Sequence, residues 1–167
     1  MKKRAAAQCL PFLRSERHRF SSPAKDRPIS TNPSTARTAH GAKVPPATVI
    51  IVPGWRDSGP GHWQSLWAER MQNAVRVVQD DWVTPTREAW VGTLEKLVLA
   101  SPDPVVIVAH SLGCIATAHL PAAAAARIRG ALLVAPADPE RRAVLSDFSP
   151  VPYAKLPYRS ALVDSNN

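Results

Sequence analysis

The sequence predicts an α/β fold built on a doubly wound parallel sheet, and two observations carry that prediction. From residue 48 onward, short apolar runs rich in Val, Ile and Leu alternate with segments whose apolar residues recur at helical spacing. The apolar runs are continuous, which is typical of strands buried on both faces. In the common strand order 2-1-3-4-5, the carboxyl ends of the first and third strands share one crevice, where ligands bind.

Each element follows from its local pattern. Strands are predicted at 48–54, 75–79, 105–109, 131–136 and 159–165. An amphipathic helix is predicted over 62–74, and its buried stripe comprises Trp63, Leu66, Trp67, Met71 and Ala74. A second helix begins after Thr84 or Thr86, since either side chain can cap it. A helix of small residues begins near Leu112 and is interrupted at Pro121.

The positive charge of the chain lies in its first 47 residues. Residues 1–47 hold ten Lys or Arg and two Asp or Glu, whereas residues 48–167 hold eleven of each. The basic segment is rich in Ser, Thr, Pro and Ala and has no sustained periodicity. A disordered tail over 1–47 and one domain over 48–167 are therefore predicted. Nucleic-acid binding through the tail is a separate hypothesis, but the uncharged domain gives it no support.

Cysteine and histidine spacings show no disulfide framework and no metal-binding pattern. Cys9 and Cys114 lie far apart, and the five histidines form no HExxH or paired Cys/His motif. We therefore expect a protein of the reducing cytoplasm without a metal site or cofactor, and the charge distribution gives no reason to expect nucleic acid as a partner. No apolar run reaches the length of a membrane span.

The turn after the third predicted strand carries the candidate site. Residues 109–113, AHSLG, match the nucleophile-elbow pattern G-x-S-x-G with Ala in the first position. In such an elbow, small flanking residues let strand and helix pass closely and expose the serine oxygen. Ser111 is therefore the candidate nucleophile, with a plain strand-to-helix turn as the alternative. The amides of Leu112 and of Trp55, in the loop after the first strand, are the candidate oxyanion donors.

Three segments together resemble one family. IIVPGWRDSGPGHWQSLW, PVVIVAHSLGCIATAH and RGALLVAPADPE are similar to the small α/β-hydrolases of the YdeN type, which include retinoblastoma-binding protein nine. The similarity covers about residues 48–165. It implies a three-layer hydrolase sandwich and a serine hydrolase, such as an esterase, that acts on small ester or amide substrates. Ser111 takes the family's nucleophile position, and Trp55 and Leu112 fall where the oxyanion amides are expected.

The family's acid and histidine have no counterparts in this sequence. The resemblance places the acid after the strand that matches 159–165 and the histidine after the next strand, but the chain ends in ALVDSNN at Asn167. We therefore expect a hydrolase domain truncated at its C-terminus. We also expect it to be inactive or nearly so, because a serine without a base is a weak nucleophile.

Residues already present offer only partial substitutes. Asp138 follows the fourth strand, where some hydrolases place their acid, but it can equally cap the segment that begins at Pro139. His62, His110 and His119 do not follow a late strand, so none has the family's base position. A non-catalytic interaction module on a hydrolase scaffold is therefore the alternative function.

Overall fold

The computed structural model describes residues 46–152 and 154–164. Most of the predicted basic tail, including Cys9, lies outside these residues. No helix in the described ranges combines the length and the apolar character needed to cross a membrane.

Five parallel strands form one sheet in the predicted order. They are β1 (Thr48–Val52), β2 (Ala74–Arg76), β3 (Val105–His110), β4 (Ile128–Val134) and β5 (Arg159–Val163). Across the sheet the order is β2-β1-β3-β4-β5. β1 and β3 pair from Thr48 with Val105 to Val52 with Ala109, so their carboxyl ends lie side by side. The predicted fold class is confirmed.

Helices cover both faces of the sheet because the central strands are apolar on both sides. The helices are α1 (Trp63–Arg70), α2 (Arg87–Ala100), α3 (Leu112–Ala118) and α4 (Ala122–Ala125). α1 packs on the face formed by Val49, Ile51 and Val108, whereas α2 and α4 pack on the opposite face. Two 3₁₀ turns, Pro139–Arg141 and Ala143–Phe148, follow β4.

α2 begins where the sequence predicts. The side chain of Thr86 accepts a hydrogen bond from the amide of Ala89 at 3.4 Å and caps the helix. Thr84 does not cap it, since the N-cap residue is Thr86 and the hydroxyl of Thr84 donates to the carboxylate of Asp81. Leu94 and Val98, about one helical turn apart, are fully buried.

α1 is shorter and less buried than predicted. It ends at Arg70, because Met71 turns into an extended conformation and Ala74 already belongs to β2. Leu66 and Trp67 of the predicted stripe remain 37% and 40% exposed. Trp63 and Ala68 are the α1 residues that pack against the sheet, so the predicted stripe is only partly right.

The ends of two strands also differ from the prediction. β4 starts at Ile128 and stops at Val134, because Ala135 has a positive φ of 45° and leaves the strand. β2 spans only three residues, although the Val77 amide still donates to the Ile51 carbonyl at 2.9 Å. These shifts change strand lengths and leave the strand order intact.

Candidate active site

Ser111 forms the sharp turn between β3 and α3. Its φ of 51° and ψ of −119° lie in a region that residues with a Cβ rarely adopt. Strained residues of this kind concentrate at functional sites, where the surrounding structure holds them in place. The Ser111 side chain makes no capping hydrogen bond to α3 and is partly exposed. Its hydroxyl therefore does not have the usual structural role of a serine at a helix start.

Two glycines let the loop after β1 contact this turn. A Cβ on Gly113 would lie 2.5 Å from the Val52 oxygen and 2.6 Å from the Pro53 oxygen. A Cβ on Gly54 would lie 2.8 Å from the Cβ of Ser111. Only glycine fits both positions without displacing a neighbour. The two glycine-bearing loops predicted to meet at the carboxyl edge of the sheet are therefore in direct contact.

Gln64 ties the ends of β1 and β3 together. Its Nε2 donates to the carbonyl oxygens of Val52 at 3.0 Å and Val108 at 3.1 Å. Its Oε1 accepts from the hydroxyl of Ser58 at 2.8 Å, and the whole residue is buried. The sequence patterns gave no prediction for this residue, because a glutamine in an amphipathic helix usually faces water. Its only sequence signal is its place in the segment GHWQ.

The two candidate oxyanion amides belong to residues next to the contact of Ser111 with Gly54. Trp55 follows Gly54 and Leu112 follows Ser111. Within the described residues neither amide donates a hydrogen bond to another backbone carbonyl, whereas the amide of Arg56 donates to a carbonyl in the loop after β2. An oxyanion hole needs unengaged N–H groups close to the attacking oxygen. The amides of Trp55 and Leu112 meet the first condition, because neither is engaged by a backbone carbonyl.

Two histidines lie next to each other beside the turn. The ring centroids of His62 and His110 are 4.9 Å apart. Burial lowers the pKa of His110, and the nearby His62 lowers it further. Burial also lowers the pKa of His62, Arg76 adds to that effect, and Asp57 opposes it. Both imidazoles are therefore predominantly neutral at pH 7. Among the described residues, neither is hydrogen-bonded to the hydroxyl of Ser111.

The remaining candidate groups have structural partners. His62 caps α1 by accepting from a first-turn amide at 3.3 Å. The Nε2 of His119 lies 2.9 Å from the carbonyl oxygen of Phe148. Asp138 caps the 3₁₀ turn that follows it and pairs with Arg141 at 3.0 Å. No group of three or more His, Cys, Asp or Glu in the described ranges could hold a metal ion.

Comparison with known proteins identifies a family and a similar solved structure. A family model described as serine hydrolase matches residues 49–167. The solved structure of a YdeN-like hydrolase from Pectobacterium atrosepticum is 30% identical, with a TM-score of 0.62 over 70% of this chain and 61% of that chain. No match is found among the curated proteins.

A second solved structure supports the fold alone. The ydeN gene product of B. subtilis is 24% identical, with a TM-score of 0.51 over 67% of this chain and 63% of that chain. The chain therefore spans less than two thirds of the length of either structure.

Proposed function

The chain belongs to the serine hydrolase family, and we propose that it acts on small ester or amide substrates through Ser111 as the nucleophile. The observation that carries the proposal is the strained turn of Ser111 in contact with Gly54 at the carboxyl edge of the sheet. In open α/β sheets this edge, between the two central strands, is where ligands bind.

The proposed chemistry is acyl transfer followed by hydrolysis. The oxygen of Ser111 attacks the substrate carbonyl carbon, and the amides of Trp55 and Leu112 receive the negative charge that develops on the carbonyl oxygen. The bond from the carbonyl carbon to the leaving group breaks, and the alcohol or amine departs with the proton that Ser111 lost. Water then attacks the acyl-enzyme ester, which releases the carboxylic acid and returns a proton to the Ser111 oxygen. Gly54 supports this step because it presents no side chain toward the turn.

Slow turnover is the second part of the proposal. Removal of the proton from Ser111 needs a base, and the histidines of the described residues are not hydrogen-bonded to its hydroxyl. An oxyanion hole and substrate binding alone still leave an acceleration of about 10³–10⁴ over water. We therefore propose that the 167-residue chain by itself retains only such a residual rate.

A fluorophosphonate probe tests the role of Ser111. Intact mass spectrometry of the full chain should show one adduct, peptide mapping should place it on Ser111, and Ser111→Ala should abolish it. Ser160→Ala, which removes a hydroxyl from β5, should label like the parent chain. An adduct that persists in Ser111→Ala would refute the assignment. Rapid p-nitrophenyl acetate turnover that depends on Ser111 would refute only the slow rate.

A non-catalytic interaction module is the second candidate. It is favoured by the structural roles of His62 and His119 and by apolar side chains left exposed on α1 and β5, among them Trp67 and Val163. A folded chain that does not react with the probe at Ser111 would support this candidate over the hydrolase.

A further inference from the structure

Two arginines from different loops lie over one tryptophan beside the proposed nucleophile. The Cζ atoms of Arg56 and Arg142 are 4.5 Å and 5.5 Å from the ring centroid of Trp55. Arg56 follows β1, and Arg142 joins the two 3₁₀ turns after β4. The Trp55 ring is fixed by a hydrogen bond from its Nε1 to the carbonyl of Val83 at 2.8 Å. Both guanidinium groups are therefore held at the carboxyl edge of the sheet.

Neither arginine has a carboxylate partner among the described residues. Two nearby carboxylates are paired with other arginines, Asp57 with Arg76 and Asp138 with Arg141, while Glu140, two residues before Arg142, makes no salt bridge among the described residues. Both Arg56 and Arg142 are exposed. Two exposed positive charges lie on one ring while Asp57 and Asp138 are engaged by other arginines, so the potential around the Trp55 ring, next to the contact of Gly54 with Ser111, is positive.

The backbone at Arg56 has an unusual conformation that neighbouring contacts hold in place. Arg56 and Asp57 have φ values of 66° and 67°, a left-handed conformation that favours glycine. The amide of Arg56 donates to the carbonyl of Trp82 at 3.0 Å, and the ion pair of Asp57 with Arg76 fixes the next residue. The loop therefore holds a long cationic side chain where the backbone conformation alone would favour glycine.

We propose that Arg56 and Arg142 bind a carboxylate of the substrate, so that the site prefers esters or amides carrying a negative charge a few bonds from the scissile carbonyl. This inference rests on the proposed function of Ser111. A guanidinium group binds a carboxylate through two parallel hydrogen bonds along its edge while its flat face remains on an aromatic ring. Trp55 orients both arginines and, through its own amide, links the anion site to the reacting carbonyl.

Titration of the full chain with two matched esters tests the proposal. Monomethyl glutarate carries a free carboxylate, and dimethyl glutarate does not. Binding is followed at the indole N–H of Trp55 by NMR, with Trp55→Phe used for assignment. The monoester should bind about tenfold more tightly at low salt, and Arg56→Gln or Arg142→Gln should each weaken it about three- to tenfold. Added salt should weaken binding of the monoester only.

Arg70→Gln is the matched control, because it removes the same charge from an exposed position at the end of α1 that has no contact with the Trp55 ring. It should leave binding of the monoester unchanged within about twofold. Equal binding of the two esters, or an equal effect of Arg70→Gln, would overturn the proposal. Fluorophosphonate labelling of the same samples separates the two proposals: carboxylate-dependent binding without labelling of Ser111 would refute the hydrolase and retain the anion site.

Discussion

The corner between β1 and β3 and the edge formed by β5 belong to the same sheet, but their residues are held in different ways. At the corner, Ser111 is strained, Gly113 lies against two carbonyl oxygens, and Gln64 bridges two strand ends. At the edge, β5 pairs with β4 alone among the described residues, and its residues alternate between exposed and partly exposed. Gly130 in β4 has ordinary space toward Arg159.

The difference shows where the sequence must specify individual atoms. The edge requires only residues that can adopt an extended conformation and cover one face. The corner requires a glycine at position 113, the buried side-chain amide of Gln64, and Ser111 in a rare backbone conformation. Strain of this kind persists only where neighbouring contacts stabilise it. The proposed nucleophile lies in the corner, so matched substitutions in the two regions should differ in size and in sign.

Replacement of glycine by alanine should give the largest difference in the free energy of unfolding between the corner and the edge. Gly113→Ala should lower the free energy of unfolding by about 3 kcal/mol or more, because its Cβ would meet two backbone oxygens that cannot move independently. Gly130→Ala should change it by less than about 1 kcal/mol, because its Cβ would make an ordinary contact. Urea denaturation of both variants measures the difference, and similar losses would remove the distinction between corner and edge.

Loss of the Gln64 hydrogen bonds should give the second-largest decrease in the free energy of unfolding. Gln64→Leu keeps the approximate size of the side chain but leaves the carbonyls of Val52 and Val108 without their donor, at an expected cost of about 2–3 kcal/mol. Gln79→Leu is the control, since buried Gln79 makes one long hydrogen bond of 3.4 Å to the Trp90 carbonyl. Its expected cost is about 1 kcal/mol or less. Equal losses would mean that Gln64 fills space and does not hold the strand ends.

Replacement of serine by glycine should give opposite signs in the two regions. Ser111→Gly should raise the free energy of unfolding by about 1 kcal/mol, because glycine adopts the positive φ without strain. Ser160→Gly in β5 should lower it by about 0.5–1 kcal/mol, because glycine in a strand loses more conformational entropy on folding. Thermal unfolding of both variants tests this, and destabilisation by Ser111→Gly would show that the turn is not strained.

The sequence was sufficient to predict the sheet and the position of the candidate nucleophile. Continuous apolar runs such as residues 48–52 report burial on both faces locally, and parallel connectivity then limits the strand order. AHSLG between a strand and a helix predicts a tight turn at Ser111 for the same local reason. The cap of α2 at Thr86 also depends only on nearby residues.

Features that depend on distant segments could not be predicted. The burial of Gln64 requires a carbonyl 12 residues away and another 44 residues away to meet at one point. The position of Arg142 over Trp55 depends in the same way on two loops that follow β1 and β4, on either side of β3. The exposure of Trp67 depends on where α1 crosses the sheet, which helical spacing alone does not report.

Boron-11 NMR of phenylboronic acid with the full chain tests the central claim most directly. A serine oxygen that adds to boron makes it tetrahedral and negatively charged, so the adduct resembles the intermediate that the amides of Trp55 and Leu112 are proposed to stabilise. The account predicts a tetrahedral boron signal that is present in the parent chain and in Ser160→Ala and is lost in Ser111→Ala. Boron that stays trigonal, or a tetrahedral signal that survives Ser111→Ala, would contradict it.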